Sequence, residues 1–186
     1  SASNEVFAST QNALFSQVIT SSNLNIYNSI TGLKPDVIST IHHSESFNKT
    51  FVGNKNGLIL IQNSDGSVTT KVDVIEEVPV PPNKKKINDF YEFNGRLYVA
   101  TDYGISVIDV ATSEFITTYF IGTAGEETEV LQTTVLNNEI YAVTRSFGIR
   151  KANINNPNLF DFSQWQTFDT SFWTGIVTFN NQLVAT

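Results

Sequence analysis

The chain alternates short apolar runs with turns rich in Asn, Asp and Gly, a rhythm that predicts strands and gives helix almost no support. One unit reads as four strands, A at Ile87 to Phe93, B at Arg96 to Thr101, C at Ile105 to Asp109 and D at Phe115 to Ile121. β-branched and aromatic residues fill most of these positions. The next unit offers Val130 to Leu136, Glu139 to Thr144, Ile149 to Ala152 and a weaker fourth strand near Gln164 to Phe168. Asn94-Gly95 and Asn137-Asn138 suit two-residue hairpin turns that need positive φ, and Asp65-Gly66 carries the same chemistry.

The units repeat. Phe93-Asn94-Gly95-Arg96-Leu97-Tyr98-Val99-Ala100-Thr101 is echoed from Leu136 and again from Phe179, at spacings of 43 and 43 residues. A second marker, Gly followed by an aliphatic residue, recurs at Gly57-Leu58, Gly104-Ile105 and Gly148-Ile149, spaced by 47 and 44. Val6-Phe7-Ala8-Ser9 leading to Asn12-Ala13-Leu14-Phe15 sits 45 residues ahead of the first of these. A fixed period of about 40 to 50 residues is the signature of a propeller or solenoid. The expected fold is therefore all-β: a partial β-propeller of about four repeats of four-stranded antiparallel blades, incomplete at both ends. The alternative is an irregular β-sandwich. Residues 1–186 read as a single propeller segment, with a partial blade at 5–30, blades at 37–75, 87–121 and 130–168, and a partial blade at 173–186.

Closed propellers use about four to eight whole blades, so a fragment with exposed strand edges is expected. A chain without methionine that opens on Ser1-Ala2-Ser3 also reads as processed or excised. Eleven basic against eighteen acidic residues give a formal charge of −7, which repels a phosphate backbone and argues against nucleic acid as a partner. No stretch approaches the roughly 18 apolar residues of a membrane span, so no transmembrane segment is expected in this chain. The absence of cysteine removes disulfide and thiolate chemistry.

If the four strands of a blade alternate in direction, the A–B and C–D turns share one face, while B–C turns and blade-to-blade D–A connections share the other. The longer loops collect on the second face: 54–56, 76–86, 102–103, 122–129, 145–147 and 170–173. Binding groups sit preferentially on loops held by a rigid scaffold. On that face, Lys84, Lys85 and Lys86 would pair with a phosphate or sugar acid, or else guard a strand edge as solvated charges. Tyr103 and Phe147, in equivalent turns, and Trp173 before a strand A would stack on sugars, or plug gaps between blades. Arg145 lies among them. Trp165 and Phe168 are assigned to blade packing.

Catalytic, cofactor and metal residues are not expected. Glu126, Glu127 and Glu129 lack the further oxygen ligands that Ca²⁺ takes. His42 and His43, neighbours in a strand, point to opposite faces and cannot easily share a metal. No Gly-x-Ser-x-Gly elbow and no phosphate-cradling glycine loop is present. Carboxylate pairs of the glycosidase kind, which carry no local motif, stay open.

The segment Thr31-Gly32-Leu33-Lys34-Pro35-Asp36-Val37-Ile38-Ser39-Thr40-Ile41, with Phe51-Val52-Gly53-Asn54-Lys55-Asn56-Gly57-Leu58, resembles the repeat of two-component-regulator propellers. More specific runs are Pro82-Asn83-Lys84-Lys85-Lys86-Ile87-Asn88, Tyr119-Phe120-Ile121-Gly122, and 152–165 from Ala152-Asn153-Ile154 to Ser163-Gln164-Trp165. Together they resemble the N-terminal propellers of the PorZ family, components of the type IX secretion system of Bacteroidota, over about Glu5 to Thr186. The family's first blade strand, second propeller and C-terminal domain have no counterpart here. The resemblance implies a non-enzymatic protein of the cell surface or periplasm, associated with the outer membrane. It would act with the sortase of that system in attaching anionic lipopolysaccharide to secreted cargo. The shared repeat equally implies a periplasmic glycan-sensing propeller of a hybrid two-component regulator, and a glycan lyase or hydrolase propeller is the third reading. Thr144-Arg145-Ser146-Phe147-Gly148 is one residue longer than Thr101-Asp102-Tyr103-Gly104, so a family contact at that turn does not transfer.

Overall fold

A computed structural model of the chain describes residues 4–11, 13–28, 36–76 and 80–186. The Thr31 to Pro35 part of the regulator-like repeat, the end of the first partial blade at 29–30 and residues 77–79 of the 76–86 loop lie outside the described residues.

The strands form separate antiparallel sheets, each built from consecutive segments of the chain. Blade I holds β1 (Glu5–Ser9), β2 (Leu14–Val18) and β3 (Asn25–Tyr27); blade II holds β4 (Ile38–Ser44), β5 (Lys49–Asn54), β6 (Ile59–Gln62) and β7 (Val68–Lys71). Blade III holds β8 (Ile87–Phe93), β9 (Arg96–Thr101), β10 (Ile105–Asp109) and β11 (Phe115–Tyr119). Blade IV holds β12 (Val130–Leu136), β13 (Glu139–Thr144), β14 (Gly148–Asn153) and β15 (Gln166–Asp169), and blade V holds β16 (Ile176–Phe179) and β17 (Gln182–Ala185). Every pairing is between sequence neighbours, which is a run of propeller blades and not the interleaved sheets of a sandwich. The D strand of blade III stops at Tyr119, two residues before the expected end. In blade IV a 3₁₀ turn at Phe162–Gln164 delays the D strand, because Asp161 caps it by accepting from the Ser163 amide. One turn of α-helix, α1 (Asp73–Glu76), and a 3₁₀ turn at Pro82–Lys84 also depart from the strand-only expectation, and α1 tucks Val74 into the core.

The hairpin chemistry acts as read. Asn94 and Gly95 have φ of 49° and 71°, Asn137 and Asn138 of 51° and 63°, the left-handed pair that matches a strand's own twist. Gly148 also needs its freedom: at φ 64° a Cβ would run into the carbonyl of Asp169 on the neighbouring D strand.

Blades II, III and IV bury both faces. Along β9, Leu97 and Val99 pack toward blade II, while Tyr98 and Ala100 pack toward blade IV. Along β13, Ile140 and Ala142 face blade III, and Tyr141 and Val143 face blade V. Both faces being apolar, the B strands read as continuous rather than alternating hydrophobic runs. Strand A carries the polar links between blades: Asn88 Nδ2 donates to Val130 O at 2.9 Å, and the Ile176 amide donates to Gln132 Oε1 at 2.8 Å.

Truncating Leu97, fully enclosed in the seam between blades II and III, is expected to cost about 2–5 kcal/mol in a denaturant melt. Ile116→Ala, on the exposed D strand, is expected to stay within about 0.5 kcal/mol of the parent. Equal losses would mean that the seams are not the core.

Candidate functional site

The B–C turns and D–A connections meet on one rim, because each turn is hydrogen-bonded to the connection that enters its own blade. Lys55 N donates to Val37 O at 3.0 Å, Asp102 N to Lys86 O at 3.1 Å, and Arg145 N to Glu129 O at 2.9 Å. A cleft of about 520 Å³ on this rim is lined by Lys84, Phe120, Gly125, Glu126 and Glu127.

The side chains singled out in the sequence have definite positions there, and several correct the expectation. Lys85 is buried and donates to the Ile75 carbonyl, so it holds the connection in place and is not a docking cation. Lys84 reaches Glu127 at 3.3 Å, while Lys86 is half-buried at the entrance to β8. Tyr103 is fully buried, its hydroxyl 2.8 Å from Ser106 Oγ, so it cannot stack on a sugar. It fills the seam between blades II and III instead. Phe147 is half-buried, and its amide donates to Thr144 Oγ1. Trp173 packs against the cluster between blades IV and V and donates its indole N–H to Asp169 Oδ1 at 3.0 Å. Arg145 grips Glu129 through two nitrogens at 3.2 and 3.1 Å, with its guanidinium carbon 5.8 Å from the centre of the Phe172 ring. Trp165 is buried as assigned, but Phe168 is half exposed, lying edge-on to Tyr141 beneath Lys151.

The electrostatics of this rim are self-compensated. Exposed pairs are worth only about 0–1 kcal/mol each, so an anion could displace Glu127 or Glu129, but it would meet a cation already partly neutralised. Glu126 is no free ligand either. Its own backbone amide, with the Ala124 amide donating to Oε2 at 2.6 Å and Thr123 to Oε1, holds the carboxyl below its usual range. Among the described residues no group of three or more His, Asp or Glu side chains converges as a metal site.

The histidines are committed to neighbours. His43 Nδ1 lies 3.0 Å from Thr50 Oγ1 and its ring stacks on Phe7; burial lowers its pKa. His42 Nε2 lies 2.8 Å from Glu92 Oε2, while Ser44 Oγ donates to Glu92 Oε1 at 3.1 Å. The carboxylate stands in the middle of this chain, so the serine hydroxyl has no imidazole to take its proton, which is the step a hydrolytic triad requires.

The residues missed in the sequence lie on the opposite rim, at the first position of each B strand. Lys49, Arg96 and Glu139 are equivalent there, each opposite the last residue of its A strand. Alignment of the repeats would have exposed the set, since all three follow the A–B turn directly. A cleft of about 390 Å³ opens beside Arg96 between blades III and IV.

One half-buried acid is titratable near neutrality. Desolvation pushes the Asp89 carboxyl up to about 6, against bonds from the Phe90 amide and from Gln132. A raised folded-state value favours the protonated form, so the stability it contributes is present below about pH 4 and is lost as pH rises through about 6. The loss amounts to about 3 kcal/mol at most. Asp89→Asn is expected to be the more stable protein at pH 7.5 and to flatten that part of the stability profile. An unchanged difference between pH 5 and pH 7.5 would show that Asp89 is solvated.

Against known proteins, the chain matches the family model described as the type IX secretion PorZ N-terminal β-propeller domain over residues 6–166. Among curated proteins no sequence matches significantly. Among solved structures it is similar to PorZ of Porphyromonas gingivalis, titled an essential bacterial surface component of the type-IX secretion system, at 22% identity and a TM-score of 0.82. That match covers 97% of this chain and 24% of that one, so the chain spans about a quarter of its relative's length. Two extracellular domains from B. thetaiotaomicron, described as belonging to hybrid two component systems, match at 14% and 15% identity with TM-scores of 0.71 and 0.70. They cover 100% and 98% of this chain and 25% and 24% of theirs. At these identities the structural likenesses establish the fold alone.

Proposed function

We propose, for a chain that belongs to the PorZ N-terminal β-propeller family, the role of a non-enzymatic binding scaffold at the cell surface or in the periplasm, associated with the outer membrane. In this reading residues 1–186 form one propeller segment. It presents its rims to partners while the sortase of the type IX secretion system attaches anionic lipopolysaccharide to secreted cargo. The observation that carries the reading is the family match along most of the chain. The geometry agrees with a binding role, since the faces of the inner blades are consumed in packing and the rim turns are tied by backbone hydrogen bonds to the connections beside them.

A second reading, the glycan-sensing propeller of a hybrid two-component regulator, is favoured by the likeness to the two B. thetaiotaomicron extracellular domains. The two differ in what binding does. A scaffold binds its ligand without changing its own association, whereas a sensor shifts an equilibrium between states that the ligand distinguishes.

Calorimetric titration of the chain with purified anionic lipopolysaccharide and with the sortase tests the proposal, with sedimentation run in parallel. We expect saturable binding of at least one of them with no change in the number of copies of the chain that sediment together. Binding of neither would remove the scaffold reading, and a glycan-driven change of oligomeric state would replace it with the sensor. Because Lys85 is structural and Lys84 is paired, Lys84→Ala with Lys86→Ala is expected to change affinity by less than about fivefold, the exposed Lys84 pair with Glu127 being worth under about 1 kcal/mol.

A further inference from the structure

The rim carrying the A–B and C–D turns repeats one arrangement at the seams that join blades I to IV. The first residue of strand B in one blade faces the C–D turn of the next blade, and what occupies that position decides whether the seam is open. Between blades II and III it is closed. Lys49 Nζ crosses the seam and donates to Val110 O at 3.0 Å, Ala111 O at 2.6 Å and Ser113 Oγ at 2.9 Å.

Between blades III and IV the equivalent residue is Arg96, and the equivalent turn is 154–157. The equivalence of the turns is fixed by their anchoring bonds: Val110 N donates to Gly95 O and Ile154 N to Asn138 O, both at 2.9 Å. Here the seam stays open as the cleft of about 390 Å³, whose lining includes Phe93, Asn94, Arg96, Tyr98, Asn155 and Pro157. This lies within the roughly 300–1,000 Å³ of small-molecule sites. Among the described residues Arg96 forms no ion pair, and its side chain lies beside the Tyr98 hydroxyl. Its cross-strand neighbour Asp109 is engaged in its own turn, where Oδ1 accepts from both the amide and the hydroxyl of Thr112 at 2.8 and 3.1 Å. The floor of the cleft is aromatic, with Tyr98 buried and Phe93 half-buried. Between blades I and II a smaller cleft of about 200 Å³ has Glu5 among its lining residues, so the same rim carries an acid there.

We propose that the cleft at the seam of blades III and IV binds a sugar bearing an oxyanion, carboxylate or phosphate. Arg96 supplies the bidentate fork, Phe93 and Tyr98 the apolar surface for the ring, and the Asn94 and Asn155 side chains hydrogen bonds to hydroxyls. A guanidinium matches a planar carboxylate or a phosphate in two parallel hydrogen bonds, which a lysine ammonium cannot do. The inference rests on the proposed function for its setting, since it names where this propeller would hold an acidic glycan.

Titration of the chain, followed by NMR, with glucuronate, glucose 6-phosphate and glucose as probes tests it. One or both acidic sugars are expected to bind at least about tenfold more tightly than glucose, with shifts confined to the 93–98 and 154–157 segments. Which acid is preferred separates a carboxylate from a phosphate site. Arg96→Gln is expected to erase the preference, and Arg96→Lys to keep part of it while weakening binding. Equal binding of all three sugars, or a preference that survives Arg96→Gln, overturns the proposal. Should Arg96→Gln melt at a lower temperature than the parent, Arg96→Lys carries the test, and undiminished binding there is equally fatal. Lipopolysaccharide binding that ignores Arg96→Gln sinks this site and leaves the scaffold reading standing. Acidic-sugar binding without lipopolysaccharide or sortase binding does the reverse.

Discussion

The interaction on which the structure depends is the packing of one small sheet face to face against the next. A four-stranded blade has two faces and little sequence, so a blade between two others must be apolar on both. The middle strands show the result. Four consecutive residues, Leu97, Tyr98, Val99 and Ala100, are buried and divided alternately between the two seams. The D strands lie at the outside and are mostly exposed, as Ile116 and Phe168 illustrate. Polar bonds between A strands then fix the register of neighbouring blades. Asn88 reaches the Val130 carbonyl, Gln132 the Ile176 amide, and Thr178 Oγ1 the Val135 carbonyl.

Function follows from what this packing leaves over. With both faces consumed, chemistry is confined to the turns at the rims. The two rims are not alike. On the B–C and D–A rim most of the conspicuous charges are spent on each other: Lys84 with Glu127, Arg145 with Glu129, Glu126 with its own turn. On the A–B and C–D rim one position varies from blade to blade as Lys49, Arg96 and Glu139 while the strand pairing around it stays the same. A repeat architecture allows this, because a substitution at a rim position changes the chemistry of one seam without disturbing the stacking of the others.

The blade order and strand positions were legible because they rest on local chemistry. Asn-Gly and Asn-Asn turns force tight hairpins, and a period of 43 residues leaves little room for another topology. Strand ends were less so: the delay of β15 depends on Asp161 capping a 3₁₀ turn, a side-chain choice that alternation does not encode. The site was only partly legible, since periodicity tells which rim a turn occupies but not whether its side chains point outward. Tyr103 reads like an exposed loop aromatic, but its ring is packed into the apolar cluster of the seam, where Ser106 Oγ meets its hydroxyl. Lys85 reads like its two neighbours until the Ile75 carbonyl claims it. Arg96 looked like an ordinary strand residue because its meaning lies in the comparison with Lys49 in the preceding blade.

Hydrogen exchange across the chain tests the central claim most directly, since protection reports how deeply each backbone segment is enclosed. Stacked blades predict the slowest exchange in β5, β9 and β13, with β7, β11 and β15 fast. D strands as protected as the B strands would mean that the sheets are covered at their outer edges, and that stacking of blade faces is not what holds the molecule together.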